Sequence, residues 1–309
     1  MNGYKPSELI RQLRMEKGLT QEQLAEGICS PVTISRIENG TQQPSNRVLE
    51  LLLDRLGDGL FHTMDTTVLQ TDVREIKSRE EEILHYIAAG NIAEAVSLLS
   101  EVSDAALSLP AQQQRKKYIE ALLHHQEEGN KNMPEMQRLL EEALLLTKPK
   151  FDRMDFRSTI LTSQEMQIIN FLSIVLWEQA EYRQAIRISF ELSESMERKQ
   201  SNLPEQRQLY VCVLTNQLQF LEAERRYEEA YEICIKAEKI CKETDDMSML
   251  PGILFSKAKL LFYIGKYAES ISILKGIYPY LLLIEKNVLA EKVRLFAKET
   301  AHIDLSANL

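Results

Sequence analysis

Glycine and proline are scarce in this chain, eleven and nine among 309 residues. Breakers this sparse leave room for long uninterrupted helices, and no stretch alternates polar and apolar residues as a half-buried strand does. Cysteine is scarce too. Cys29, Cys212, Cys234 and Cys241 form no C-x-x-C pair and nothing implies a disulfide framework, so they read as core thiols of an intracellular protein. The apolar run Ile277 to Ile284 is far short of the ~20 residues that span a bilayer. The opening MNGYKPSELIRQLR lacks the apolar core of a signal peptide. A cytoplasmic protein without membrane contact is expected. Positive charge is in deficit, with 37 Lys and Arg against 46 Asp and Glu, so no bulk positive field draws in nucleic acid. Chemistry-bearing motifs are missing as well: G-x-S-x-G, a P-loop and H-E-x-x-H are all absent. The pair His124-His125 is adjacent, so the two rings diverge on a helix, and His62, His85 and His302 are isolated. No metal, no cofactor and no enzymatic activity are expected.

What is present is concentrated first in Thr20 to Gly40, TQEQLAEGICSPVTISRIENG. Thr20 and Gln23 have the spacing of a capping box. Leu24, Ala25 and Ile28 give the helix they open a buried side, and Gly27 lies where the chain must turn. Ser30-Pro31 is a second helix start, an N-cap followed by proline at the first helical position. Ile34 and Ile37, three apart, point to the core. Val32, Thr33, Ser35 and Arg36 are left on the opposite face, and Asn39-Gly40 stops the helix. A short helix with a polar outer face, set on another by a tight turn, suits the DNA major groove. Before it, Ser7 to Glu16 should form a helix buried through Leu9, Ile10 and Leu13; after it, Pro44-Ser45 opens a helix striped with Val48, Leu49, Leu52 and Leu56.

Residues 7–57 resemble a helix-turn-helix of the phage-repressor (XRE) type. The resemblance rests on Leu9, Leu13 and Arg14, on Gly18-Leu19-Thr20-Gln21, on Leu24-Ala25, on Ile34-Ser35-Arg36-Ile37-Glu38-Asn39-Gly40, and on Pro44 and Leu56-Gly57. It implies binding of double-stranded DNA, with Ser30, Val32, Thr33, Ser35 and Arg36 on the reading face. Gln21 and Asn46, at helix starts, would hold phosphates. It further implies an ion pair between Arg14 and Glu38. Pro31 departs from the family, which often carries a polar base reader there. Residues 1–60 hold seven cations against eight anions, so binding has to depend on placed contacts and dimerisation. A degenerate head kept for protein contact is the alternative.

Gly57-Asp58-Gly59 marks a boundary, which divides the chain into a head (1–64), a polar linker helix (65–78) and a helical remainder (79–309). In the remainder, turn-and-restart segments recur: Ala89-Gly90-Asn91, Ala180-Glu181-Tyr182, Arg226-Tyr227 and Gly265-Lys266-Tyr267, with a weaker copy at Asn132-Met133. The tyrosines at 182, 227 and 267 are 45 and 40 residues apart. The pattern resembles tetratricopeptide repeats with long helices: five pairs over 79–285 and a capping helix over 286–301. The expected fold is all-α, a helix-turn-helix followed by a right-handed α-solenoid whose concave face suits an extended peptide. Asn170 and Asn216, each mid-helix and 46 residues apart, can donate and accept along a peptide backbone. Gln219 and Lys259 are further lining candidates. Head, linker and repeats together resemble the RRNPP group of Gram-positive quorum-sensing regulators. This implies a homodimer on a palindromic operator and a short signalling peptide held by asparagines such as 170 and 216. The competing reading is a repressor-like interaction module whose repeats bind a partner protein.

Overall fold

The computed structural model describes residues 6–56, 82–101, 110–128, 132–153, 155–157, 159–199, 204–243, 247–300 and 302–305. Among them the regular elements are helices, and none is long and apolar enough to cross a membrane. The expected boundary at Gly57–Gly59 and the linker helix over 65–78 lie outside the described residues. The chain divides into two compact units, residues 1–203 and 204–309.

The first unit opens with α1 (Pro6–Glu16), α2 (Gln21–Ala25), α3 (Pro31–Glu38) and α4 (Asn46–Leu56). Ile10, Leu24, Ala25, Ile28, Ile34, Ile37, Leu52 and Leu56 close a common core. Helical pieces follow at α5 (82–88), α6 (Ile92–Ser100), α7 (Pro110–Glu128), α8 (Met133–Thr147), α9 (Ser163–Glu178) and α10 (Tyr182–Lys199). Here α7 packs on α8, α8 on α9, and α9 on α10. The second unit contains α11 (Pro204–Ala223), α12 (Tyr227–Glu243), α13 (Leu250–Tyr263), α14 (Tyr267–Leu283) and α15 (Asn287–Glu299), each packed on the next. The described helices therefore make five pairs and a final helix, the all-α architecture the sequence pattern predicts.

One local device repeats through both units. Two residues before the second helix of a pair, the backbone enters the left-handed region: Gly90, Ala180, Arg225 and Gly265, and Glu285 before α15, at φ 78°, 64°, 59°, 83° and 57°. The next N–H then reaches the carbonyl five residues back, as Glu181 to Leu176 (2.9 Å), Arg226 to Leu221 (2.9 Å) and Lys266 to Leu261 (2.8 Å). These are Schellman closures that satisfy orphan carbonyls of the first helix. The following tyrosine opens the second helix against an aromatic ring: Tyr182 on Trp177 at 4.6 Å and Tyr267 on Phe262 at 5.0 Å. Three residues on, a small side chain is fully buried, at Ala95, Ala185, Ala230 and Ser270, and this lets the paired helices approach closely. Nothing lies within 4 Å of a Cβ built on Gly265, so Gly265→Ala tests backbone strain alone. It should destabilise the protein by about 1–2 kcal/mol. Ala230→Leu forces a branched side chain into a filled site and should cost about 1–3 kcal/mol. Urea unfolding followed by circular dichroism measures both.

The head is seated on α7–α9 by a buried polar network. Arg55 of α4 is 1% exposed, in the middle of the apolar run Leu51–Leu53 and Leu56. Its Nη1 donates to the carbonyls of Gln23, Leu24 (3.2 Å) and Glu26, closing the C-terminal end of α2, while Nη2 lies 3.4 Å from Glu165. Glu165 accepts from Thr147 Oγ1 (2.7 Å) and from the Thr162 N–H (2.7 Å), the return bond of the capping box that starts α9. Gln114 Nε2 of α7 completes the network by donating to Thr147 Oγ1 at 2.6 Å. Beside it, Asp54 accepts from the N–H of Ser163 (2.9 Å), a carboxylate on the positive end of α9. Lys148, 2% exposed, pairs with Glu26 at 2.7 Å. Burial depresses the Lys148 ammonium below its ordinary value, although Glu165 and Glu26 pull it back. Gly27 is in the left-handed region, and a Cβ there would stand 2.5 Å from the Thr147 carbonyl oxygen. Gly27→Ala should therefore unseat the head, with a loss on the order of 2 kcal/mol or more and faster proteolysis between head and repeats.

Candidate nucleic-acid interface

The helix α3 is built from its caps inward. Thr20 Oγ1 accepts from the Gln23 N–H (3.1 Å), and Gln23 Oε1 accepts from the Thr20 N–H (2.9 Å), so the capping box is formed at both ends. Gly27, at φ 71°, turns the chain between α2 and α3. Ser30 Oγ accepts from the Thr33 N–H at 3.1 Å and shares a 2.9 Å bond with Thr33 Oγ1. Pro31 fills the first position of α3, where a missing N–H is harmless. Gly40, at φ 71°, allows the Thr41 N–H to reach back to the Arg36 carbonyl at 2.9 Å. Eight residues are thus held as a helix by groups at both ends, in a length that is marginal in isolation.

Burial then sorts the faces of α3. Ile34 and Ile37 are fully buried. Ser30, Pro31, Val32 and Arg36 are exposed, with Val32 at 58%, and Thr33 and Ser35 are half-buried. Among the described residues the Arg36 guanidinium meets no acceptor and no carboxylate. An exposed valine and an unengaged guanidinium one turn apart form a surface that can touch a thymine methyl and bond guanine O6 and N7.

Beneath this face lies an ion pair. Arg14 Nε donates to Glu38 Oε1 at 2.6 Å, Nη2 donates to Oε2 at 3.0 Å, and Nη1 donates to the Leu19 carbonyl at 2.6 Å. The Glu38 side chain is 2% exposed and that of Arg14 is 14% exposed. Gln21 Nε2 donates to Glu38 Oε2 at 2.8 Å, so this half-buried amide braces the pair at the start of α2. Asn46 begins α4, but its side chain lies outside the described residues. Cys29, between α2 and α3, packs against the head's core, and burial pushes its thiol up to about 11, which leaves it protonated and inert.

The candidate peptide-contacting residues are placed in both units. Asn170 lies mid-α9 in the first unit and Asn216 mid-α11 in the second, both half-buried. Gln219 is exposed one turn beyond Asn216. Gln219, Glu222, Tyr227, Lys259 and Tyr263 line a cleft of about 340 Å³ within the second unit. Lys259 is no free cation there: it pairs with Glu222 and lies 5.5 Å from the centre of the Phe255 ring. Tyr227 and Tyr263 stack at 4.6 Å beside it. Phe171 and Phe220 belong to the core. Sequence reasoning missed Arg55, Glu165, Thr147 and Lys148. The T-x-x-E spacing of Thr162 and Glu165 was a readable signal for a capping box, but nothing local marks its partner 110 residues upstream.

The pair at Glu38 has a pH signature. Burial raises the Glu38 pKa, but the bonds from Arg14 and Gln21 outweigh it and hold the carboxyl below its ordinary value. The unfolded chain therefore takes up this proton first as pH falls. The stability from the pair is complete above the ordinary carboxylate value and is lost as pH drops through the folded value. Glu38→Ala should cost about 3 kcal/mol at neutral pH by stranding Arg14. Glu38→Gln should flatten the acid limb of a stability–pH curve measured by thermal unfolding.

Residues 10–57 match the family model described as Helix-turn-helix. Over nearly its whole length the chain has the fold of solved helical structures. Bacillus thuringiensis PlcR in complex with the peptide PapR7 and DNA aligns at 20% identity over 94% of this chain and 99% of that one, with a TM-score of 0.59. The apo form of PlcR aligns at 17% identity over 94% and 98%, with a TM-score of 0.59. The apo competence regulator ComR from Streptococcus vestibularis aligns at 15% identity over 96% and 97%, with a TM-score of 0.53. No curated protein matches the sequence.

Proposed function

We propose that this chain is a homodimeric transcription regulator that reads a palindromic operator with α3 and is switched by a short peptide bound to its repeats. The observation that carries the reading is the outer face of α3, where Val32 and Arg36 are exposed and unengaged on a helix fixed by caps at both ends. A fold shared with PlcR, which was solved with a peptide and DNA, supports the combination of the two ligands. Arg36 bonds a guanine edge, Thr33 and Ser35 reach bases or phosphates, and Val32 packs on a thymine methyl. Ser30, Gln21 and Asn46 add backbone contacts at helix starts. Residues 1–64 serve as the DNA-binding head, 65–78 as the linker and 79–309 as the sensing repeats.

A head with no surplus of positive charge binds weakly alone, and two half-sites about one helical turn apart supply the missing affinity. Within Ile277–Ile284, the side chains of Ile277, Tyr278 and Leu281 enter the core, whereas Tyr280 and Leu283 do not. Leu283 and the nearby Val288 are 80% and 76% exposed, and they form the apolar patch we assign to dimerisation. Asn170 and Asn216 hold the peptide backbone, while Gln219 and the Lys259–Glu222 pair border its side chains. The peptide changes DNA binding only by its differential affinity for two arrangements of the dimer.

Arg36→Ala should weaken specific DNA binding by about 1–3 kcal/mol and relax the footprint at one base pair per half-site. An unaltered footprint at unaltered affinity would remove α3 from the reading. Asn216→Ala should weaken calorimetric binding of peptides encoded beside the gene while leaving peptide-free DNA binding intact. Sedimentation should show a dimer at micromolar concentration that Leu283→Glu with Val288→Glu converts to monomer.

A further inference from the structure

The seat between head and repeats encloses a second feature, an open cavity of about 650 Å³ within the first unit. Its walls carry four cations, Lys17 and Arg55 from the head and Arg157 and Arg198 from the repeats, against the single carboxylate of Glu16. In a chain of net charge −9 this local surplus runs against the whole. Nor do neighbouring carboxylates fully cancel it. Arg55 faces Glu165, yet its buried Nε has no hydrogen-bond partner among the described residues. Arg157 stands 3.6 Å from Glu191, whose carboxylate is already held by Arg187 at 3.1 Å. Lys17 meets no carboxylate among the described residues, and Arg198 donates to the Arg157 carbonyl oxygen. Leu19, Ile160 and Met166 add an apolar wall.

We propose that this cavity binds a small organic anion, a phosphate ester or polycarboxylate of nucleotide size, clamped between Lys17 on the head and Arg157 and Arg198 on the repeats, with the buried Arg55 adding its charge from the cavity wall. Its volume falls within the range of small-molecule sites, and guanidinium forks suit phosphate and carboxylate oxygens equally. An anion held from both sides favours the seated head, because a ligand stabilises the arrangement that presents all of its contacts. None of the lining residues is on the outer face of α3 or among the candidate peptide-contacting residues, so the site would act as a second input on the same head.

The test uses the full-length protein in low-chloride buffer, titrated calorimetrically with AMP, pyrophosphate and citrate, with thermal unfolding in parallel. Saturable binding of at least one probe, one per chain and at about millimolar concentration or tighter, is expected, together with a raised unfolding midpoint. AMP or pyrophosphate binding without citrate identifies phosphate as the recognised group; citrate alone identifies carboxylate. Arg157→Ala with Arg198→Ala, both on exposed side chains of the repeats, should weaken binding about tenfold or more, and so should Lys17→Ala. Arg294→Ala, in the second unit, should leave it unchanged. If none of the three probes saturates, or if binding survives the Arg157–Arg198 double variant, the inference is overturned. It is also overturned if that variant loses affinity for a mixed-sequence DNA duplex with no anion present, since the cavity would then be a phosphate contact for DNA. Should the double variant fail to fold by circular dichroism, Arg198→Gln alone gives the same reading.

Discussion

A buried guanidinium stands at the centre of the contacts that join the head of this protein to its repeats. Arg55 rises from the amphipathic α4 and closes the carbonyl end of α2, a helix of only five residues, then meets Glu165 at the first turn of α9. Each partner satisfies a backbone end that would otherwise be buried bare: the carbonyls of α2 on one side, the Thr162 N–H on the other. A buried pair of this kind is weak evidence for net stability, because desolvation of both charges offsets their attraction. It is strong evidence for a defined geometry, since any displacement of the head leaves a buried charge without its partner. The left-handed Gly27 against Thr147 acts in the same direction through sterics. The head is thereby held in one place on the repeats that follow it in the first unit.

The reading helix depends on a second constraint of similar form. Arg14 and Glu38 link α1 to the last turn of α3, and Gln21 ties the same carboxylate to the start of α2. Three helices thus share one carboxylate. With Glu38 fixed, the two buried isoleucines of α3 fix its rotation, and Val32 and Arg36 project outward, with no hydrogen-bond or ion-pair partner for the Arg36 guanidinium among the described residues. Contacts that need no rearrangement lose less ordering entropy on association.

In the repeats the division of labour differs. Local turns, not charges, set the geometry. The pairs α9–α10 and α13–α14 are each closed by one left-handed residue, one aromatic contact and one buried small side chain, so the same three parts occur in both compact units. Non-glycine residues take the left-handed position at Ala180, Arg225 and Glu285, a strain of about 1 kcal/mol apiece that the packing of the pair must override.

Which features could be read in advance follows from their range. Caps, turns and apolar spacing are local, so the chain itself determined the two short helices around Gly27, the capping box at Thr20 and Gln23, the buried Ile34 and Ile37, and the tyrosine-marked starts of α10, α12 and α14. The Arg14–Glu38 contact was legible only through resemblance, because 24 residues of intervening chain carry no sign of it. The seat of the head was not legible at all. Arg55 in an apolar run reads as a solvated charge unless Glu165, 110 residues away, is known to wait for it. Lys259 shows the same limit: a lysine at a lining position reads as a free cation until Glu222 from the neighbouring helix neutralises it. Long-range electrostatic partners are decided by tertiary packing, since burial determines which charges need one another, and burial has no local signature in the sequence.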